Sequence, residues 1–394
     1  MRLPLPMILA VAFIGILADV LIWRSLRRVG APRRLQIFHK ALAALAWLTM
    51  IVVVAIPKKT GDDAALRHIM WTLFAFMTLY IPKAVYALFE LVRLSLSKIF
   101  RRRLRAIGIV GASLAAVLFA AMWWGALINR YRVDVVEVEV PIAGLPDSFD
   151  GMKIAQISDL HLGTYGDDTS FAQEIVEEVN SLNPDIILFT GDIVNRHASE
   201  LKPFMSALSQ LHAPEGVWSI MGNHDYGDYY TWPSPDAKQA DIDSLKTMQA
   251  DMGWRMLNND HAWIYAGGDS IALVGVENIG DRPFPVYGSL AQAYPDIADS
   301  NIKILMSHNP AHWCDSIADN AVANVALTLA GHTHAMQIEL FGLSPAALRY
   351  KTWGGLYTDT LGRNLYVNIG AGTVGIPMRL GATPEITLIT LKSK

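Results

Sequence analysis

The chain has 394 residues and a formal net charge of −3, but the charge is unevenly spread: residues 1–130 carry 18 Lys+Arg and 4 Asp+Glu, a net of +14, while residues 131–394 carry 15 and 32, a net of −17. An acidic second half excludes nucleic-acid binding through a basic face, and so sharp a change of sign implies two regions in two surroundings. The single cysteine, Cys314, excludes an intramolecular disulfide and a thiolate zinc site, and it reads as a small buried apolar residue.

Four apolar stretches come first: Leu5 to Trp23, Ala41 to Ile56, Ile69 to Val92 and Ala106 to Ile128. Each approaches the ~20 residues that cross a bilayer as a helix, which predicts an all-α, four-span membrane region over 1–130. The first is no cleavable signal, because Asp19 and Arg24 follow without a small-residue cleavage site. Trp23, Trp47, Trp71, Trp123 and Trp124 suit aromatic belts at span ends, with an interior place as the alternative for Trp47. Loop one carries Arg24, Arg27, Arg28, Arg33, Arg34 and Lys40. Loop three carries Arg93, Lys98, Arg101, Arg102, Arg103 and Arg105, whereas loop two has only Lys58, Lys59 and Arg67. Lys and Arg stay on the cytoplasmic side. Both termini are therefore expected outside a bacterial cytoplasmic (inner) membrane, with residues 131–394 extracytoplasmic. Asp19, Lys83 and Glu90 lie in or near spans and read as charges that snorkel or pair within the bundle, rather than as a transport path.

Past the spans the pattern changes to short strands and helices. Val133 to Val140 alternates as a strand, and Lys153 to Ser158 is a second strand that delivers Asp159 and His161. An extended backbone would point these two to the same side. Ser170 with Gln173 resembles a capping box ahead of a helix with Phe171, Ile175, Val176, Val179 and Leu182 on one face; Pro184 ends it. Ile186 to Phe189 is a continuous apolar run, as in a strand buried on both faces, and leads into Gly191-Asp192. A helix over Glu200 to Leu211 precedes a strand over Gly216 to Met221, which ends in Gly222-Asn223-His224-Asp225. Trp263 to Tyr265 and Ile271 to Val276 suggest a hairpin through Gly267-Gly268; Ile302 to Met306 brings in His308, and Val325 to Leu329 brings in Gly331-His332-Thr333-His334. Strands near Leu365 to Ile369 and Ile386 to Leu391 are expected to complete a second sheet. The alternation predicts an α/β core with its chemistry at the carboxyl ends of strands.

Five pieces are therefore expected to meet at one sheet edge. They supply two Asp, an Asn and four His suited to binding metal, with His224 left over. That is the inventory of a two-metal hydrolytic site, in which Asp192 can bridge two ions with its two oxygens. Two ions about 3.5–4 Å apart neutralise phosphoryl oxygens and activate a shared water as hydroxide, and a free His can protonate the leaving oxygen. Mixed imidazole, carboxylate and amide ligands suit Mn, Fe or Zn. The aromatic segment Tyr226 to Pro235 is equally suited to covering the site and to packing on the surface. His197, His212, His261 and His312 match no motif, and Arg349, Lys351, Arg363 and Arg379 read as surface cations with phosphate binding as the alternative.

In this order, Asp159-x-His161, Gly191-Asp192, Gly222-Asn223-His224-Asp225, His308 and Gly331-His332-Thr333-His334 resemble the calcineurin-like metallophosphoesterases. The lead-in Gly151 to Gly163 is similar to the membrane-linked bacterial branch. The resemblance covers about 150 to 392 and implies a four-layer metallophosphoesterase sandwich of two facing sheets flanked by helices, over 131–394. It implies one metal on Asp159, His161, Asp192 and His334, and a second on Asp192, Asn223, His308 and His332. It implies His224 as proton donor, with Asp225 orienting it. The family commonly has Asp where this chain has Asn195, which changes the hydrogen bonds behind the ligands, because Asn can donate where Asp only accepts. The implied activity is a membrane-anchored hydrolase of phosphate esters, chiefly phosphodiesters. The alternatives are cleavage of a lipid-linked pyrophosphate of the UDP-diacylglucosamine type, and a non-enzymatic receptor or transporter that retains the domain.

Overall fold

A computed structural model describes residues 5–56, 62–280, 285–320 and 322–394. The chain forms two compact units, Met1–Leu127 and Ile128–Lys394. Lys58 and Lys59 of the second loop lie outside the described residues.

The first unit consists of four helices, α1 (Leu5–Arg28), α2 (Arg33–Ala55), α3 (Asp63–Ile99) and α4 (Arg105–Leu127). All four are long and apolar enough to cross a membrane. Hydrocarbon offers no partner to a backbone amide, so a spanning segment must satisfy its own, and a helix does so. Phe13, Leu45, Ile51, Ile109 and Val117 point outward, as lipid-facing side chains do. The charged residues instead turn inward and pair. Asp19 accepts from Lys83 Nζ at 2.8 Å, from the Tyr80 hydroxyl at 2.9 Å and from Trp47 Nε1 at 3.3 Å, which joins α1, α2 and α3. Trp47 thus takes the interior place, packed on Phe76 and Tyr80. Glu90 is held by Arg28 at 2.5 Å and Arg93 at 2.6 Å. Removing one partner of the buried Asp19–Lys83 pair would cost about 3–5 kcal/mol, because the other charge is stranded.

The second unit is built on two six-stranded sheets. The strands are β1 (Asp134–Ile142), β2 (Lys153–Ile157), β3 (Ile186–Phe189), β4 (Val217–Ser219), β5 (Arg255–Met256), β6 (Asp260–Ala266), β7 (Asp269–Gly275), β8 (Lys303–Met306), β9 (Leu327–Ala330), β10 (Gly355–Thr358), β11 (Asn364–Val367) and β12 (Glu385–Ser393). Their order is β1-β12-β2-β3-β4-β5 in one sheet and β10-β11-β9-β8-β7-β6 in the other. Strands β2 to β5 run parallel, as do β7, β8, β9 and β11.

The apolar runs show why the sheets stack. In β3, Ile186 and Leu188 face a core shared with Ile271, Leu273, Ile304, Met306, Leu327 and Leu329 of the opposite sheet. Ile187 and Phe189 face the other way, against Phe171, Ile175 and Val179 of α5 (Ser170–Ser181) and Leu245 and Met248 of α7 (Pro235–Asp251). A strand sandwiched between a sheet and helices has no polar face, hence no alternation. The outer face of the second sheet packs Val274, Leu305 and Leu365 on Trp313 and Ile317. The result is the expected layered α/β sandwich.

Five details differ from expectation. Cys314, expected as a small buried apolar residue, is exposed. Strand β12 joins the first sheet, between β1 and β2, rather than completing the second; its register with β1 and β2 is set across the whole chain. The segment after His197 is 3₁₀ over Ala198–Phe204, followed by one short α turn, α6 (Met205–Leu208), because Pro203 interrupts α-helical bonding. Ser170 makes no capping box: its N–H and hydroxyl both donate to Asp168, at 3.1 and 2.6 Å. Helix α7 carries Gln, Lys and Asp among few apolar residues, and its amphipathic pattern is too weak to announce it.

Candidate metal centre

The five motif pieces leave the carboxyl ends of β2, β3, β4, β8 and β9 and converge where the two sheets meet. The ends are tied directly. Asp159 N–H donates to the Gly191 carbonyl at 2.9 Å and Gly331 N–H to the His308 carbonyl at 2.9 Å. Across the sheets, Gln156 Nε2 reaches the Ala330 carbonyl at 2.9 Å.

The ligand-type side chains are not aimed by strand alternation. Asp159, His161, Asp192, His332 and His334 have φ of 55°, 46°, 61°, 73° and 51°. Left-handed backbone is uncommon outside glycine and costs of order 1–3 kcal/mol per residue when held in place. The kinks turn Asp159 and His161 into one site, which corrects the expectation of an extended backbone there. The glycines supply room. Gly191 has φ of 99°, and a Cβ on it would lie 2.5 Å from Gly222 N. A Cβ on Gly331 would collide with Ser158 and Asp159.

Two groups of donors result, one of Asp159, His161 and His334 and one of Asp192, His308 and His332, each with ligand atoms within 4.8 Å of one another. His334 Nε2 lies 3.1 Å from Asp159 Oδ1, and His161 Nε2 lies 3.0 Å from His334 Nε2 and 3.6 Å from Asp192 Oδ2. His308 Nε2 lies 3.2 Å from Asp192 Oδ2 and 3.2 Å from Asn223 Oδ1. All seven residues proposed as ligands from the sequence are therefore brought together, and Asp192 of the second group also reaches His161 of the first. His224 also falls within such a group, with His161 and Asp192.

The hydrogen bonds behind the rings test whether this set fits a cation. His308 Nδ1 is 2.8 Å from the Thr190 carbonyl, so it is the N–H donor and its Nε2 carries a lone pair toward Asp192. His161 Nδ1 is 3.0 Å from Asn195 Oδ1, which leaves its Nε2 lone pair facing His334 and Asp192. Lone pairs aimed at carboxylate oxygens repel unless a proton or cation lies between them, and nitrogen–oxygen donor sets of this kind suit divalent ions. Without such an ion, a proton serves: burial opposes charge on His308, but Asp192 and Asp159 outweigh it and push the ring up to about 10. Burial drives His332 down to about 3. The donor set fits metal.

Asn195 accommodates its departure from the family through Thr164. Its Oδ1 accepts from His161, while its Nδ2 donates to Thr164 Oγ1 at 3.1 Å; that hydroxyl in turn donates to the Thr373 carbonyl at 2.6 Å. Thr164 provides the acceptor that a carboxylate would not need. Asp225, expected to orient His224, does something else. Its carboxylate accepts four backbone N–H groups, from Gly222 and Asp192 at 2.8 Å, Ile193 at 3.0 Å and Val194 at 3.2 Å. It fixes the turns that present Asp192 and Asn223. Burial, then the neighbouring Asp192 charge, raise its carboxyl to about 7 despite those donors. His224 is oriented by the carbonyl of Asn195, 2.7 Å from its Nδ1, and burial lowers its pKa.

Tyr229 stacks on the His224 ring at 4.1 Å with its hydroxyl 3.0 Å from Asn223 Nδ2, so this one residue of the aromatic segment covers the His224 ring, while Tyr226 packs on Tyr287 and Tyr230 on Trp232. Tyr350 places its hydroxyl 2.9 Å from His332 Nε2. Neither tyrosine belongs to a motif; for Tyr229, proximity in sequence to Asn223 was the available signal. Arg379 and Arg363 are not surface cations. Arg379 is fully buried, donates to the carbonyls of Gly372, Ile369 and Ala382, and brings Nη2 within 3.3 Å of His334 Nδ1. Arg363 is paired with Asp359.

His312 is a packed histidine, bonded to Ser307 Oγ at 2.8 Å. Burial holds its pKa near 4, against 6.5 for an ordinary imidazole. Between those values the unfolded chain binds more protons, so the stability that this ring confers is complete above pH 6.5 and is lost as pH falls toward 4. The full loss is about 3 kcal/mol. His312→Asn should therefore weaken the acid sensitivity of the thermal midpoint relative to the parent chain; an identical pH dependence would contradict it.

Residues 152–336 match the family model described as calcineurin-like phosphoesterase, and residues 1–130 match that of a probable calcineurin-like phosphoesterase transmembrane domain. An uncharacterized metallophosphoesterase, YkuE, of Bacillus subtilis is 31% identical over 302 residues, covering 73% of this chain and 96% of that one. A transmembrane protein with metallophosphoesterase domain from Danio rerio is 33% identical over 288 residues, and its counterpart from Bos taurus 33% over 269; 71% and 66% of this chain are covered. The matches span 62% and 57% of those two relatives. The chain belongs to the calcineurin-like metallophosphoesterases, a family of metal-dependent phosphoester hydrolases, and it is a membrane protein of that family.

Proposed function

We propose that this chain is a membrane-anchored two-metal phosphoesterase that hydrolyses phosphodiesters outside the cytoplasm of a bacterial cell. The observation that carries the reading is the pair of donor groups, Asp159, His161 and His334 beside Asp192, His308 and His332, with Asp192 Oδ2 also 3.6 Å from His161 Nε2. One ion is assigned to Asp159, His161, Asp192 and His334, and the other to Asp192, Asn223, His308 and His332. Bound divalent ions, taken as Mn, Fe or Zn, supply charge neutralisation at the phosphoryl oxygens and an acidified water.

The protein's own groups do the rest. Asp225 holds the backbone of both turns. Asn195 orients two rings, His161 through its side chain and His224 through its carbonyl. Because His224 Nδ1–H is committed to that carbonyl, the ring delivers a proton from Nε2, to the leaving oxygen. Tyr229 covers the ring and limits water around it.

The extracytoplasmic assignment is supported by six Lys+Arg in each of loops one and three against three in loop two. Purified full-length protein with Mn should hydrolyse bis-p-nitrophenyl phosphate in preference to the monoester; a strict monoesterase would remove the diester reading. Protease added to intact spheroplasts should cut within 131–394. Complete protection until lysis would move the domain to the cytoplasm and favour the lipid-linked pyrophosphate as substrate.

A further inference from the structure

The segment that leaves His334 carries large apolar side chains on its outside. Leu340 and Leu343 exchange backbone hydrogen bonds of 2.9 and 3.0 Å around a two-residue turn of Phe341 and Gly342. Both turn residues have positive φ, 54° and 76°. Such turns favour Asn-Gly, and a bulky side chain in the first position is a conformational outlier. Packing does not compensate for it, because Phe341 is completely exposed. Leu343 and Leu348 are 76% and 92% exposed, and Met336 and Leu340 about half. Single exposed apolar residues need no explanation, but five on one short segment form a surface suited to an apolar partner. The segment is built rather than loose: Ser344 Oγ donates to the Ala335 carbonyl at 2.6 Å and accepts from Ala346 N–H at 3.0 Å. Both ends adjoin the site. Ala335 follows His334, and Leu348 is followed by exposed Arg349, by Tyr350 on His332, and by exposed Lys351.

We propose that residues 336–351 dock on the lipid bilayer. Leu340, Phe341, Leu343 and Leu348 enter the acyl boundary, and Arg349 and Lys351 meet anionic headgroups. The chain itself favours lipid as the occupant. α4 ends at Leu127, and Asn129, two residues later, is already buried in the catalytic unit, with Nδ2 3.1 Å from the Arg379 carbonyl. The catalytic unit is therefore tethered to the last apolar helix by the chain itself. The bilayer is then the apolar phase present at the highest effective concentration. Resting on the phosphodiesterase reading, this docking implies a substrate with its phosphodiester in a lipid headgroup, which the segment brings to His332 and His334.

The single cysteine allows a direct test. In full-length Cys314→Ser protein in nanodiscs containing phosphatidylglycerol and acyl-chain nitroxide lipid, a polarity-sensitive fluorophore is placed at Phe341→Cys, at Leu348→Cys, or at exposed Asp251→Cys on α7 as control. The labels at 341 and 348 should be quenched several-fold more than the label at 251. Cys at 341 introduces no backbone strain that Phe does not already carry, and Leu348→Cys, away from the strained turn, guards against a local fold defect. Labels at 341 and 348 quenched no more than the control would overturn the docking surface and assign the tip to a protein partner. Hydrolysis of a soluble diester, followed in the same samples, reports separately on the phosphodiesterase reading. An inactive protein with quenched labels would sink that reading while upholding the docking.

Discussion

Removing divalent ions from the purified chain is expected to abolish turnover, and adding Mn is expected to restore it. The expectation rests on the direction of the imidazole lone pairs. Backbone or amide oxygens hold the Nδ1–H groups of His161 and His308, so both Nε2 atoms face the carboxylates of the site. Protons can relieve that repulsion only singly, whereas two ions would relieve it throughout and would supply charge neutralisation at the phosphoryl oxygens and an acidified water. Asp192→Ala should be the most damaging single ligand change, because its carboxylate lies against both His161 and His308, at 3.6 and 3.2 Å. Metal analysis of that variant should show loss of both ions. Full activity in a chelated, metal-free preparation would end the two-metal reading.

His224→Ala is expected to lower turnover by roughly 10²–10⁴, the usual worth of general acid catalysis, while metal content stays near that of the parent chain. The effect should depend on the leaving group. An alkoxide leaves only with a proton, whereas p-nitrophenolate does not need one, so the loss should shrink for nitrophenyl esters. The structure makes this test sharper, because His224 lies close enough to His161 and Asp192 to be counted with them as a ligand group. Its Nδ1 is nevertheless spent on the Asn195 carbonyl, and burial lowers its pKa. Loss of metal on this substitution, with an equal effect on all leaving groups, would make His224 a ligand instead.

Much of the architecture is legible in the sequence because it depends on local physics. Runs of about 20 apolar residues have one stable form in lipid. Ile186–Phe189 announced a strand buried on both faces, and its side chains divide between the two cores as such a strand must. Gly267-Gly268 signalled a hairpin, and both residues have the positive φ that a tight turn requires. The polar short motifs at strand ends gave the identity of the groups that meet, since few other arrangements place so many metal-ligating residue types directly after apolar strands.

The amino-acid sequence by itself determined the four apolar helices, the layered α/β core and the residue types gathered at its edge, because each follows from periodicity, length or side-chain chemistry within a few residues. Only the tertiary structure decided what those groups do to one another. Asp225 grips the backbone at 192–194 instead of its neighbour His224, Thr164 makes Asn195 workable, Tyr350 reaches His332, and Arg379 lies buried beneath His334. The same holds for β12, which inserts between β1 and β2 from the far end of the chain. Several of these pairings join residues far apart in sequence, and even the Asn195 carbonyl on His224 spans 29 positions. Hydrogen bonds of that kind are selected by which buried polar groups lack a partner once the sheets have stacked. That condition does not exist until the fold does, so no local pattern can encode it.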